Sequence, residues 1–597
     1  MIEGLRRIYR PVANLSTRRR RAVEALLLLA VAVLILVETR MLWFFSDDWA
    51  FILGRRELRL NGRTADFLWY PHNEHLMGGL AVIYSTMVAL FGISSQFPFM
   101  VLLMIGHVAV TWMVGVVIQR AGIRWEWSLA AMVWLGFFGS GNENIIWPVQ
   151  IGYMWSLALS MGAMLIATRR PAEGQQDKGA RRREVVLGAS ASLLFVLALF
   201  IGPTAIVVML GTGAVLAAER PFRRNWLRAL AILGAPTALY LWWFATYGRR
   251  FSAPWGHPAR MMPAYFVRGV TNALDHAVAI RGGGTVLGLI AVALTAGLWR
   301  RPAARRLLIF GATGFVAFFI MNAYGRAGLG TVQSTSPRYV GVAGVFAIPV
   351  FAVGASELLR RVRASRYAAA PTGAVAVLAV VALLGAHAVW RNANDIHAAR
   401  RAREAVLYEV RPVIEIAALH ALSPIVDPGT QPEPKYDPDV TMGRLAEIRR
   451  SGSWQPRADW PLERLLAGSL PLAIVVRTDG PTAASNNTGL VVVAATGVVG
   501  RPEGCLELAV SPEAPASVTF AGDAPAGFVS ITGLDPAGAV SMDAILASGT
   551  VRSARRDLGV VSGAPVWFGT DPFVGETVLR FTTVVPLRVS VCGIAAK

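Results

Sequence analysis

A series of eleven apolar runs, at residues 22–45, 97–119, 126–139, 151–168, 185–200, 203–219, 226–247, 283–299, 306–323, 339–357 and 370–390, dictates what this chain can become. The hydrocarbon core of a bilayer is crossed by about 20 predominantly apolar residues in a helix. No water is available inside that core for backbone N–H and C=O groups, so a crossing segment pairs them within itself and is helical. The runs therefore predict an all-α polytopic membrane bundle of about eleven transmembrane helices. Composition agrees, since 54% of the side chains are hydrophobic and only 16% charged, where a water-soluble chain carries about 25% charged.

A further stretch, Leu76 to Phe91, is apolar as well, and whether it crosses decides the sidedness of everything after it. If it lies along the interface, segments 1–22, 120–124, 169–183, 220–228, 300–306 and 360–366 share one side and hold 27 Arg and Lys, against 11 in the loops 46–96, 140–150, 248–282 and 323–338. Short cytoplasmic loops are the ones that accumulate positive charge. The bias predicts eleven crossings, a cytoplasmic N-terminus and an extracytoplasmic C-terminal part in a multi-pass plasma-membrane protein. The cluster Arg18 to Arg21 precedes an apolar run that continues to Phe45 without a small-residue cleavage site, which reads as an uncleaved first span. The formal net charge of +21 falls largely in Arg clusters between spans. Anionic lipid head groups attract charge placed there, and a nucleic-acid partner is excluded.

Beyond residue 390 the apolar runs stop. We divide the chain into a transmembrane part, 1–390, with a long first external loop at 46–96; a helical and Pro-rich connector, 391–470; and a β-rich part, 471–597. In the last, short Val, Ile and Leu runs such as Gly489–Ala495, Val518–Phe520 and Val529–Thr532 are separated by Gly, Pro and Asp, the pattern of a small sandwich. The two cysteines, Cys505 and Cys592, both lie here. They either close a disulfide in an oxidising compartment or stay as two buried thiols.

If the topology is right, unusual polar residues should gather on the outer face wherever there is a site. Ser46-Asp47-Asp48-Trp49 follows the first span directly. Pro71-His72-Asn73-Glu74-His75 stands just before the interfacial stretch, where Asn73 can cap the helix. The turn Asn142-Glu143-Asn144, with Trp147 and Gln150, lies at the mouth of two spans. Loop 248–282 adds Arg249, Arg250, Trp255, His257, Arg260, Asp275 and His276, and loop 323–338 adds Tyr324, Arg326 and Arg338. Such groups suit an enzyme acting on an amphipathic, phosphate-bearing lipid. A carboxylate takes the proton of an acceptor hydroxyl, and an Arg fork stabilises charge on a departing phosphate. Plainer roles exist for each: ending helices for Asp47 and Asp48, satisfying turn backbone for Asn142 to Asn144, and anchoring to head groups for the outer arginines. Asp47, Asp48 and His72 are also possible ligands of a divalent metal, and no other cofactor is indicated.

Asp47-Asp48 just past the first span, the long first external loop with its interfacial helix, the near-eleven count and the outer C-terminal domain together resemble the GT-C superfamily, multispan glycosyltransferases that take sugars from polyprenyl-phosphate carriers. The resemblance implies a base or metal-holding role for Asp47 or Asp48, and donor-phosphate contacts from basic residues of later external loops, here Arg326 and Arg338. It leaves His72, Asn73, Glu74, His75, Asn142, Glu143, Asn144, Trp147 and Gln150 as substrate-binding candidates by placement alone. The expected function is transfer of a sugar from a polyprenyl-phosphate donor to a glycan, lipid or protein acceptor of the cell envelope, with inversion by direct displacement. The alternative is a transporter or flippase for a lipid-linked glycan, favoured by the Gly202-Pro203 break between two short spans.

Overall fold

The computed structural model describes residues 16–169, 178–219, 222–250, 256, 258–364, 371–422 and 428–457 and, after these, 475–477, 491–500, 505–520, 527–533, 538–546, 556–560, 566–570, 577–583, 586–592 and 595–596. Trp255, His257 and part of the Pro-rich connector lie outside them. The chain divides into two compact units, one of 1–44, 58–91 and 95–404 and the other of 45–57, 92–94 and 405–597.

The first unit is helical. Its longer helices are α1 (Thr17–Thr39), α2 (Gly78–Phe91), α3 (Phe97–Arg120), α4 (Trp125–Gly136), α5 (Ile151–Ala167), α6 (Lys178–Ile201), α7 (Thr204–Ala217), α8 (Phe222–Thr246), α9 (Met262–Val278), α10 (Gly284–Ala296), α11 (Pro302–Arg326), α12 (Pro337–Ala364) and α13 (Pro371–His420). Each of the eleven expected runs falls on one of these helices; α2 carries the stretch expected along the interface, and α9 lies in segment 248–282. Seven helices among the described residues are long and apolar enough to cross a membrane. The chain is a membrane protein, and the count of eleven crossings remains the reading of its sequence. Trp390, where composition changes, lies within α13.

Helix starts follow local chemistry. The Ser16 hydroxyl accepts from the N–H of Arg19 at the head of α1. Proline occupies the first turn of α3, α9 and α11, where its missing N–H costs nothing. Leu26, Leu29, Val33, Leu34 and Val37 on α1 and Val286, Leu289 and Ile290 on α10 are exposed. An apolar stripe of that size is at home against lipid. The core lies where α5 packs on α3 and α6, α7 on α11, and α12 on α10 and α11. At the Gly202-Pro203 break, the Ser156 hydroxyl donates to the carbonyl of Gly202 at 2.8 Å and accepts from the N–H of Ala205 at 3.0 Å. The freed backbone groups are thereby satisfied.

Between α4 and α5 the chain runs through single turns at Gly139–Gly141, Glu143–Ile146 and Pro148–Gln150. Apart from Asn142 and Glu143, every residue from Phe138 to Ile151 is buried. Gly341 at the start of α12 makes room for this stretch, because a Cβ there would collide with the amide of Asn144.

Among its described residues the second unit carries two six-stranded sheets, in the orders β1 (Val475–Arg477), β9 (Val566–Thr570), β6 (Gly527–Gly533), β11 (Leu587–Cys592), β4 (Cys505–Val510), β3 (Val498–Gly500) and β12 (Ala595–Ala596), β2 (Val491–Thr496), β5 (Ala516–Phe520), β10 (Thr577–Thr583), β7 (Gly538–Leu546), β8 (Arg556–Val560), antiparallel except for β12 on β2. The sandwich expected from alternating apolar runs is present. Along β4 (Cys505–Val510), Leu506, Leu508 and Val510 point inward beside Val589 and Val591 of β11 (Leu587–Cys592), and Val518, Leu579 and Phe581 bury from the other sheet. Cys505 is disulfide-bonded. Its register partner across β4 and β11 is Cys592, the only other cysteine of the chain.

Candidate functional site

In the helical unit the candidates of segments 46–96, 140–150 and 323–338 meet. His72 and His75 close a two-residue hairpin turn, with His72 N–H on the carbonyl of His75 at 3.0 Å and the reverse bond at 2.9 Å. Asn73 and Glu74 sit at φ 46° and 69°, the mirror-image turn that fits a tight hairpin. This corrects one expectation. Asn73 does not cap α2, which begins at Gly78; it occupies the turn, and its amide lies 3.2 Å from His72 Nε2. Non-glycine residues in this conformation carry strain, which persists where the surroundings enforce it. Here the enforcing group is the end of α11: Arg326 donates to the Asn73 carbonyl at 3.1 Å, and Gly325 leaves space for the Glu74 carboxylate, whose Oε2 would lie 2.9 Å from a Cβ at 325.

Arg338, in the first turn of α12, faces the turn after α4. It pairs with Glu143 at 3.7 Å and stands over the rings of Trp147 and Tyr339 at 5.8 and 5.4 Å. Arg403 reaches the same Trp147 ring at 5.0 Å. The Ser336 hydroxyl also approaches Glu143, at 3.3 Å, and Asn144 donates to the carbonyl of Arg338 at 2.9 Å. Asn144 and Gln150, expected at the mouth of two spans, are buried. A small cleft beside Arg326 is lined by His75, Tyr153, Pro203, Thr204 and Asn322. Elsewhere in the unit, α4, α10 and α12 with the ends of α9 and α13 enclose an apolar hollow of about 500 Å³, lined by Trp127, Trp134, Leu287, Ile290, Phe351 and Leu358 among others.

Burial, then the charges of Arg326, His72 and Arg338, push the His75 imidazole down to a pKa of about 3. His75 is therefore neutral and can accept as well as donate a hydrogen bond. Since its ordinary pKa is near 6.5, the stability it lends is present above that value and is lost as pH falls toward 3, by up to about 1.4 kcal/mol per pH unit. Thermal melts between about pH 7 and pH 4 should show the wild type losing stability more steeply than His75→Gln, and parallel curves would remove the imidazole from this role.

His276 and Asp275 of loop 248–282 lie apart from these groups: the His276 ring is 2.8 Å from the Ser140 hydroxyl, which donates to Asp395 at 3.1 Å, and Asp275 accepts from Gly282 and Gly284 N–H groups. Arg250 pairs with Asp66 at 3.5 Å. These interactions are structural ties between loops and α13.

Asp47 and Asp48 belong to the second unit. Asp48 is fully buried and accepts the N–H of Phe45 at 3.0 Å, whereas Asp47 is half-buried. Ser46, just before them, has φ 52° and gives its N–H to Asp437 at 2.5 Å. Asp437 and Asp439 were not singled out in the sequence, nearly 400 positions away; the only local signal is the Asp-Pro-Asp of the Pro-rich connector. Arg444 ties Asp439 to Glu57, at 2.7 Å to the latter, and Arg56 pairs with Glu447 at 2.7 Å. Burial raises the pKa of the Asp439 carboxyl; Arg444 lowers it, and the neighbouring Asp47 raises it again. Among the described residues no three His, Cys, Asp or Glu groups are arranged to hold a metal ion.

Fold and site thus define a multispan membrane protein with a terminal β-sandwich and a cationic, histidine-containing cluster at helix ends. No protein-family model matches the chain, and no curated protein matches it. Among solved structures it is similar to the oligosaccharyltransferase of Archaeoglobus fulgidus in complex with Zn and sulfate, at 13% identity and a TM-score of 0.40 over 67% of this chain and 55% of that one. It is likewise similar to the archaeal oligosaccharyltransferase AglB of that organism in complex with an inhibitory peptide and a dolichol-phosphate, at 13% identity and 0.41 over 68% and 58%. A third is ArnT from Cupriavidus metallidurans bound to undecaprenyl phosphate, at 16% and 0.36 over 68% and 81%. The chain spans little more than half the length of the archaeal enzymes. These are loose likenesses, and the reading below rests on the residues of this chain.

Proposed function

We propose that this protein is a GT-C-type glycosyltransferase that moves a sugar from a polyprenyl-phosphate donor to a glycan, lipid or protein acceptor on the extracytoplasmic face of the plasma membrane. The observation that supports it most is the pairing of Arg326 and Arg338, from the facing ends of two apolar helices, around a neutral His75 held in a strained turn. Guanidinium groups at the boundary of hydrocarbon and water suit a lipid phosphate, whose tail stays in the bilayer while its head group is bound. The apolar hollow along α4, α10 and α12 has the chemistry to hold an aliphatic chain. Asp47, half-exposed, is our candidate for the base that activates the acceptor hydroxyl. The charge bias of the loops supports a cytoplasmic N-terminus and an outer sandwich domain, where an oxidising compartment suits a disulfide.

The transporter reading draws on the Gly202-Pro203 break. Substrate-binding breaks in transporters lie near the bilayer midplane, whereas Pro203 and Thr204 line the same small cleft as His75 and Arg326, at helix ends. The purified protein in nanodiscs, incubated with a panel of polyprenyl-phosphate sugars, is expected to release polyprenyl phosphate from at least one of them. Movement of an intact lipid-linked glycan across vesicles, with no donor cleaved, would replace this reading with the other.

A further inference from the structure

Tyr265 lies on α9, in a loop where the sequence drew attention to arginine and histidine instead. Its side chain is fully buried against Ala323 and Ala327 at the end of α11, with Met261, Met262 and Phe266 around it. Gly269, one turn further along α9, lets the two helices close up, since a Cβ there would come within 2.6 Å of the Phe319 ring. The phenol is thus delivered to the end of α11 by close helix packing.

Its hydroxyl is buried and has no hydrogen-bond partner among the described residues. A buried tyrosine hydroxyl ordinarily has one. Phenylalanine would fill the same space without desolvating an O–H for nothing in return, so the hydroxyl needs a reason. The groups whose charges bear on it are Tyr339, Arg326, Arg338 and Tyr153. Burial, followed by Tyr339, raises its pKa above the ordinary tyrosine range, with the two arginines opposing, so the phenol stays protonated at any physiological pH. The phenol, a neutral donor near guanidinium groups that are donors too, has no acceptor among the described residues. A phosphate oxygen accepts from the phenol and carries the negative charge that guanidinium groups favour, whereas an alcohol or amide oxygen offers only the acceptor.

We propose that the Tyr265 hydroxyl donates a hydrogen bond to a phosphate oxygen of the lipid-linked substrate at Arg326 and Arg338, and so selects a phosphate ester over the free polyprenol. This rests on the reading of those arginines as the phosphate site. The phenol adds a directed bond without adding charge, which fixes where the phosphate sits between two long, adaptable side chains.

The test is equilibrium binding of a short-chain polyprenyl phosphate, and of the matching polyprenol, to the full-length protein in nanodiscs. Tyr265→Phe is expected to weaken the phosphate about ten- to hundred-fold, as for a hydrogen bond to a charged group. It should leave the polyprenol unchanged and melt no lower than the wild type. If Tyr265→Phe binds the phosphate normally while Arg326→Ala does not, this inference fails and the arginine site stands. If neither variant changes phosphate binding, both fail. Equal weakening of phosphate and polyprenol by Tyr265→Phe would also overturn it, because ring packing and not the hydroxyl would then be responsible.

Discussion

Asp47→Asn is expected to fold and melt like the wild type and to lose sugar transfer by about 10²- to 10⁴-fold, the range for removal of a positioned general base. Asp48→Ala is expected to do something different, lowering stability by about 1–3 kcal/mol because the part-buried N–H of Phe45 is left without its carboxylate. The sequence offers two adjacent acids with no means of choosing between them. The structure separates them by burial: one carboxylate is spent on the backbone and the other is accessible beside Asp439. Turnover and thermal melts on the two single variants read out the division. Full activity in Asp47→Asn would deprive the proposed mechanism of its base, and undiminished stability in Asp48→Ala would show that this bond carries little.

Arg326→Ala is expected to lower kcat/KM for the lipid-linked donor by about 10²- to 10³-fold, the scale seen when one preorganised donor to a developing anion is removed. Arg326→Lys should recover only part, because an ammonium keeps the charge but loses the planar fork. The loss should fall on donors with a phosphate and be absent for binding of the acceptor alone. A variant that keeps donor turnover would move the phosphate away from the end of α11. The same substitution also frees the strained turn at Asn73 and Glu74, so hydrogen exchange of residues 72–75 should quicken with it.

Much of the architecture was legible because hydrocarbon solvent imposes one rule on every span, and the eleven apolar runs each became helix. The alternating runs of the terminal part were legible for the matching reason, period-two burial on two facing sheets. Side-chain roles were less so. Asn73 carries a capping residue's chemistry, yet positive φ in a hairpin turn outcompeted the helix end. Asn144 and Gln150 stand out in the sequence as amides between two apolar runs, but their burial depends on the close approach of Gly341, nearly 200 positions away, which no local pattern records. Asp437 and Asp439 approach the acidic pair through tertiary folding of the connector, and Tyr265 was not singled out in the sequence, because a hydroxyl without a partner among the described residues shows only once the helices are packed. Contacts between positions hundreds of residues apart leave no periodic trace.

The buried chain between α4 and α5 bears on where chemistry can occur. At 12 residues, α4 rises only about 18 Å, well short of the roughly 30 Å of hydrocarbon. What continues its path is irregular backbone with buried amides, among them the Asn144 Oδ1 and Gln150 Oε1 atoms that lack a partner among the described residues. Irregular backbone inside a membrane is tolerated where it is enclosed by protein or wetted. Under the proposed function, a water-borne acceptor hydroxyl would meet the lipid phosphate next to this enclosed stretch, which Asn144 ties to Arg338.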